Sequence, residues 1–156
     1  MPVCSRRFPS VLVAGCDYDF PLTAQPTRKI DERLLGDWVG VDQQSAKEDL
    51  MRVRGFDDST YAVAIDNDIY RVFHSDFAGT PLVSVQDLNS GNRKYLYFAW
   101  RLSTDGNQLS LKGIDPKVIP ETTKSASDVQ HLIKQQLKNP RLFRDELRFT
   151  RKQAGR

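Results

Sequence analysis

Short runs of alternating apolar and polar residues, separated by clusters of polar turn residues, make up most of the chain from Gly36 onward. Alternation with a period of two is typical of strands with one buried face, and tight turns between such runs indicate an antiparallel meander. The fold class is therefore predicted to be all-β with one C-terminal helix. The pattern predicts eight strands, at about residues 36–41, 49–55, 60–65, 69–74, 82–88, 93–102, 108–113 and 146–151.

One segment has the periodicity of a helix instead. Its apolar residues recur at i, i+3, i+4 and i+8, which is one face of a helix at about residues 127–138: Val129, Leu132, Ile133 and Leu137. Ser127 and Gln130 have the spacing of a capping box, and Asn139-Pro140 ends the segment. We expect this helix to pack near the last strand.

The first predicted strand opens with Leu34-Leu35-Gly36-Asp37-Trp38, after about one helical turn. This run resembles the Gly-x-Trp start of lipocalins and related calycin barrels. The resemblance implies that Gly36 permits a close approach and that Trp38 plugs one end of a barrel. It also implies that an arginine of the last strand stacks over the tryptophan; by position Arg148 is the first candidate and Arg151 the second.

The strand count leaves two architectures open. Seven predicted strands precede the helix and one follows it, whereas lipocalins complete eight strands before their helix. A calycin-like barrel and an open roll of about 7–8 strands, with the helix over one mouth, both satisfy the pattern.

The N-terminus has the features of an export signal. Arg6 and Arg7 precede the short apolar run 11–14, and small residues precede Cys16. Leu12-Val13-Ala14-Gly15-Cys16 resembles the lipobox of bacterial lipoproteins, which implies a signal peptide over residues 1–15 and acyl chains on Cys16. The protein would then be anchored at the periplasmic face of a bacterial envelope membrane. A fortuitous Ala-Gly-Cys in a cytosolic protein is the alternative.

The resemblance also bears on the membrane and on the segment that follows. In enterobacterial lipoproteins an Asp after the lipidated cysteine favours the inner membrane, and Asp17 occupies that position.

Residues 16–33 contain Pro21 and Pro26 without clear periodicity, so we predict a lipidated, extended tether of several nanometres at about 3 Å per residue, ending in a short helical turn. Residues 34–152 are predicted to form a single β domain.

Composition narrows the function classes. The chain is 39% hydrophobic and 28% charged with a net charge of +3, which is typical of a folded domain rather than a disordered one. Arg6 and Arg7 lie in the predicted signal, so the remainder is nearly neutral and nucleic acid is not an expected partner. Cys4 and Cys16 both precede the predicted domain, which therefore has no disulfide or cysteine metal site.

The sequence offers no convincing catalytic or metal-binding constellation. His74-Ser75-Asp76 contains the residue types of a hydrolase triad, but neighbours in a strand point to opposite faces and cannot form the relay. His131 is the only other histidine, so a histidine-rich zinc site cannot be built. We expect no enzyme, metal or cofactor, and we expect both histidines to be surface or rim residues.

The predicted strand 93–102 carries the clearest binding signal. Its alternation places Leu96, Phe98, Trp100 and Leu102 on the core face. The other face contains residues of the types enriched in binding hot spots: Tyr95, Tyr97 and Arg101. Either this is an interaction face, or the tyrosines simply pack across neighbouring strands.

Two functions are consistent with these features. The first is a lipid-anchored envelope protein that acts as a non-catalytic binding or interaction module with an envelope protein partner. The second is a lipocalin-like carrier of a small apolar ligand inside the barrel. An eight-stranded barrel encloses little more than its own side chains, which favours the first.

Overall fold

The computed structural model describes residues 18–41, 47–89 and 91–153. Cys4, Cys16 and Asp17 lie outside the described residues, so signal cleavage and lipidation stay predictions. Within the described residues, no helix is both long and apolar enough to cross a membrane.

Eight antiparallel strands form a closed barrel in sequence order. The last strand pairs with the first, with Arg151 opposite Trp38. The all-β prediction is confirmed, and the closed ladder decides for a barrel over an open roll. The strands are β1 Gly36–Val41, β2 Glu48–Gly55, β3 Tyr61–Ile65, β4 Asp68–His74, β5 Leu82–Asp87, β6 Tyr95–Leu102, β7 Gln108–Gly113 and β8 Leu147–Arg151.

Polar turns set the register of this meander. The turn between β3 and β4 contains Asp66 at φ +52°, a left-handed conformation that Asp tolerates better than most residues. Gly106, at φ +75°, has the same role between β6 and β7. Both residues lie within clusters of polar turn residues in the sequence. The strand boundaries could therefore be predicted from the sequence to within about two residues.

The barrel interior is the main hydrophobic core. Alternate residues of each strand point inward and bury their side chains. The largest members of this cluster are aromatic or sulfur-containing: Trp38, Met51, Tyr61, Tyr70, Phe98 and Phe149.

A second core lies on the outside of the barrel. The helix α1, Ala126–Gln136, contributes Val129 and Ile133 to this core, and β5 and β6 contribute Leu82 and Tyr97. The predicted capping box is wrong, because the N-cap is Ser125, whose Oγ accepts a hydrogen bond from the Asp128 backbone N–H at 3.1 Å. The helix itself, between β7 and β8, is confirmed.

The segment predicted as an extended tether instead packs on the barrel from Tyr18 onward. Tyr18 and Tyr95 exchange two backbone hydrogen bonds of 2.8 Å. Leu22 is fully buried in the outer core, and a 3₁₀ turn at Glu32–Leu34 leads into β1. The segment follows the outer surface of the barrel because Tyr18 and Leu22 pack against apolar side chains there. The packed domain therefore includes residues that precede the predicted start at 34.

Candidate functional site

Trp38 is a buried side chain inside the barrel, fixed from two sides. Its Nε1 donates to the Leu34 carbonyl oxygen at 3.0 Å, and the Arg151 guanidinium carbon lies 4.3 Å from its ring centroid. Gly36 has φ +129°, and a Cβ there would meet Arg151 Nη1 at 2.8 Å. The glycine therefore gives the arginine the space it needs over the tryptophan.

The arginine over Trp38 is Arg151, so the first choice, Arg148, is wrong. Arg148 points outward, is exposed, and forms an ion pair with Glu146 at 3.2 Å. The reason is strand alternation: Phe149 points inward, so its immediate neighbour points outward and the residue two positions later points inward. Arg151 also donates to the carbonyl oxygens of Arg33, Leu35 and Gly106.

The predicted interaction face on β6 is largely covered. Tyr97 is 1% exposed, stacks on Tyr18 with ring centroids 4.3 Å apart, and donates from its hydroxyl to the Phe20 carbonyl oxygen at 2.7 Å. Tyr95 is half-buried, and only Arg101 is exposed. The two tyrosines belong to the outer core because the N-terminal segment and α1 lie over them. Burial correspondingly raises the pKa of both the Tyr97 and the Tyr18 hydroxyl.

The other face of β6 lines an unfilled space inside the barrel. An apolar cavity of about 80 Å³ lies between hydrophobic and aromatic side chains of the six strands β2 to β7 and of the turn before β1. Phe98 and Trp100 of β6 line it, facing Met51 of β2 and Val63 of β3. The inward set of this strand is thus where the sequence predicts it, but it does not fill the interior completely.

Three polar aromatic residues meet at one side of this interior, and we refer to Tyr61, His74 and Trp100 as the polar cluster. The ring centroid of His74 lies 5.4 Å from that of Tyr61 and 5.4 Å from that of Trp100. His74 Nε2 is 2.7 Å from the Tyr61 hydroxyl, which also accepts a hydrogen bond of 2.6 Å from the Asp31 backbone N–H.

His74 is fully buried, so the expectation of a surface or rim residue is wrong. Tyr70, Val72 and His74 alternate toward the interior of β4, whereas Ser75 lies outside and hydrogen-bonds to Ser84 and Thr23 at 2.8 Å each. His74 and Ser75 are therefore on opposite sides of the barrel wall, which agrees with the argument against a catalytic triad. His131, the second histidine, is exposed on α1.

Burial keeps the His74 imidazole uncharged. Burial, with a smaller contribution from the Arg28 guanidinium, lowers the pKa of His74 to about 4, so the imidazole is neutral at pH 7. Among the described residues the Tyr61 hydroxyl contacts one donor, the Asp31 backbone N–H, and one possible acceptor, His74 Nε2, so its proton points to Nε2 and the imidazole hydrogen is on Nδ1.

The chain before β1 closes over the polar cluster. The Thr27 backbone N–H donates to the His74 carbonyl oxygen at 2.8 Å, and the Arg28 guanidinium lies 5.1 Å from the Trp100 ring centroid. Arg28 is paired with Asp76 at 3.1 Å. This cover was not predictable from the local pattern, because Thr27 and Arg28 contact residues that are 47 or more positions away in the sequence.

Nothing in the described part of the chain gathers three or more metal-ligating His, Cys, Asp or Glu side chains. Comparison with protein-family models, curated proteins and solved structures finds no match to this chain.

Proposed function

We propose that this protein is a non-catalytic binding protein, lipid-anchored in a bacterial envelope, whose ligand is a small apolar molecule held inside the barrel. The observation that carries the proposal is the apolar cavity of about 80 Å³ in the barrel interior. Close-packed protein interiors contain few voids larger than a water molecule, so an unfilled space of this size in a small domain is a feature to be explained.

The size of the cavity restricts the ligand. Pockets for drug-sized molecules are usually about 300–1,000 Å³, and an apolar cavity of about 150 Å³ in another protein binds benzene. A cavity of about 80 Å³ suits a molecule of roughly four or five carbon atoms or the end of a longer chain. Apolar cavities of this kind remain dry, so an entering apolar group gains contacts without displacing bound water.

The burial of the β6 tyrosines supports the interior over the outer face. A partner protein cannot reach Tyr97, which is 1% exposed beneath the N-terminal segment. Trp100, by contrast, lines the cavity and is available to a ligand there. The burial of Tyr97 and the position of Trp100 therefore support a ligand in the interior over a partner on the outer face of β6.

The lipid anchor rests on the resemblance of Leu12–Cys16 to a lipobox. The test is fractionation of cells that produce the wild type or Cys16→Ala. Membrane association of the wild type alone supports the anchor, and recovery of both in the same soluble fraction contradicts it.

The cavity is tested by titrating 2-methylbut-1-ene into the protein and following the backbone and methyl NMR signals. We expect saturable shifts in residues around the cavity. Val85→Phe fills the space from β5 and should abolish them. Val39→Phe is the matched control, because the alternation of β1 turns residue 39 to the outer face, and it should bind as the wild type does. Absence of saturable shifts in the wild type would overturn the proposal.

A further inference from the structure

The two ends of the barrel carry different features. In an antiparallel meander the connections alternate between the ends, so the β2–β3, β4–β5 and β6–β7 hairpins lie at one end, together with Arg151 over Trp38. The opposite end contains the β3–β4 and β5–β6 connections and the segment between β7 and β8, which includes α1. Tyr18 lies at this opposite end, because it exchanges backbone hydrogen bonds with Tyr95, the first residue of β6. We refer to the two as the Trp38 end and the Tyr18 end.

A group of cationic side chains lies at the Tyr18 end, on the turn 115–119, the last turn of α1 and the segment after α1. Residues 129–144 contain no Asp or Glu. The segment after α1 is held against the end of β7, because the Leu142 carbonyl oxygen accepts from the Asp115 N–H at 2.8 Å and the Arg144 N–H donates to the Gly113 carbonyl oxygen at 2.7 Å. We call this group the basic patch: Lys117, Lys134, Lys138, Arg141 and Arg144.

The basic patch is adjacent to Tyr18. The Tyr18 hydroxyl donates to the Ile119 carbonyl oxygen at 2.6 Å, two positions along the chain from Lys117. Leu142 is fully buried in the outer core that also contains Tyr18. The patch therefore lies on the side of the barrel from which the chain continues to Cys16, the proposed acylation site.

The charges of the basic patch are not used within the fold. Within the described residues, none of its five side chains forms an ion pair, and four of them are exposed. Asp115 and Asp145, the acidic residues nearest to the patch in the sequence, pair with none of them. Attraction to the helix C-terminus accounts only for Lys134, because α1 ends at Gln136 and three members of the patch follow it.

We propose that the basic patch docks on a bilayer surface that contains anionic phospholipids. The proposal rests on the proposed anchor at Cys16 and adds which side of the barrel faces the membrane. Each Lys or Arg close to an anionic surface is attracted to it, and the attraction falls off within a Debye length of about 8–10 Å. Five unpaired cations grouped beside Tyr18 satisfy this condition once the chain is anchored there.

The test uses the full chain with Cys16→Ala, so that no acyl chain holds the protein on the lipid. Cosedimentation measures its binding to vesicles of phosphatidylcholine with or without phosphatidylglycerol. We expect tighter binding to the vesicles with phosphatidylglycerol, and weaker binding to them when NaCl is raised from about 0.05 M to about 0.5 M. Residues 1–15 are the same in every variant, so their contribution cancels in the comparison.

Two triple variants of this protein locate the docking surface. Lys117→Gln, Lys138→Gln and Arg141→Gln together remove three exposed charges of the patch and should weaken binding about fivefold for each charge, or about a hundredfold in total. The matched control removes three exposed charges at the Trp38 end and should weaken binding by less than about fivefold in total: Lys29→Gln, Arg101→Gln and Lys152→Gln. Circular dichroism checks that both variants fold.

Three results would overturn the proposal. The first is an equal loss of binding for the two triple variants, and the second is equal binding to vesicles with and without phosphatidylglycerol. The third is patch-dependent binding to poly-L-glutamate without a preference for anionic vesicles, which would assign the patch to an acidic protein partner. The anchor is judged separately by the fractionation of wild type and Cys16→Ala, so the docking surface can fail while the anchor stands.

Discussion

The Arg151 guanidinium lies over the Trp38 ring at the seam where the barrel closes, with its carbon 4.3 Å from the ring centroid. The two residues are directly paired across β8 and β1. The same guanidinium binds three backbone carbonyl oxygens, of Arg33, Leu35 and Gly106. The Arg151 side chain thus joins β8 and β1, the last and first strands of the barrel, to the turn before β1 and to the hairpin between β6 and β7.

Arg151→Ala should therefore destabilise the protein by about 2–4 kcal/mol, since it removes a cation–π contact and charge-assisted hydrogen bonds. Denaturant unfolding measures the change. Arg148→Ala, on the outer face of the same strand, is the matched control and should stay within about 0.5 kcal/mol of the wild type. Equal losses for the two variants would contradict the assignment of Arg151 to the seam.

Trp38→Ala should lower the free energy of unfolding by about 3–5 kcal/mol, because it empties a large and fully buried aromatic site. Phe56→Ala is the control, since the Phe56 side chain is 70% exposed and should cost little. Chemical unfolding followed by circular dichroism compares the two. A loss below about 1 kcal/mol for Trp38→Ala would show that the ring is not a structural plug.

Tyr97→Ser should also destabilise the protein strongly, by about 3–5 kcal/mol, since it removes a buried aromatic ring and the hydrogen bond to the Phe20 carbonyl oxygen. The interaction-face hypothesis requires the opposite, a variant that folds as well as the wild type and loses only partner binding. Arg101→Ser, on the exposed part of the same strand face, should leave the unfolding midpoint almost unchanged.

Stability should depend on pH through His74. Its folded pKa of about 4 lies below the unfolded value of 6.5, so the unfolded chain binds more protons between these two values. The free energy of unfolding should therefore fall as the pH falls from about 6.5 to about 4, and this contribution is fully present above pH 6.5.

His74→Gln removes this titrating group and keeps a polar side chain near the Tyr61 hydroxyl. The variant should show a smaller loss of stability between pH 6.5 and pH 4 than the wild type. The lowered pKa values of Asp31, Asp57 and Asp105 act at lower pH and are common to both proteins. Parallel pH profiles of wild type and variant would be inconsistent with a buried neutral imidazole.

The strands were predictable because alternation and turn chemistry are local. Strand alternation also predicts the two side-chain orientations that differ from expectation, those of the arginine over Trp38 and of His74. Phe149 is an obvious inward residue, which places Arg151 rather than Arg148 inside, and Tyr70 and Val72 place His74 inside. Applying the period of two to polar residues as strictly as to apolar ones would have found both.

The cover over β6 and the polar cluster was not predictable in this way. Tyr18 and Leu22 are two apolar residues in a proline-containing segment, and they show no periodicity that marks a buried element. The surface that they contact is assembled from β5, β6 and α1, which are far away in the sequence. This apolar surface exists only once the barrel has closed and α1 has packed on it, and it would be exposed to solvent if Tyr18 and Leu22 did not cover it.

The pairing of Tyr18 with Tyr95 has a consequence for how the barrel would sit on a bilayer. Asp17 alone separates Tyr18 from Cys16, and two Cα-to-Cα steps span at most about 8 Å. A barrel acylated at Cys16 would then be held within a headgroup's depth of the lipid, with little freedom to swing or rotate. The start of β6, where Tyr95 pairs with Tyr18, would stay next to the membrane, and ligands of the barrel would be exchanged beside the lipid rather than in the open periplasm.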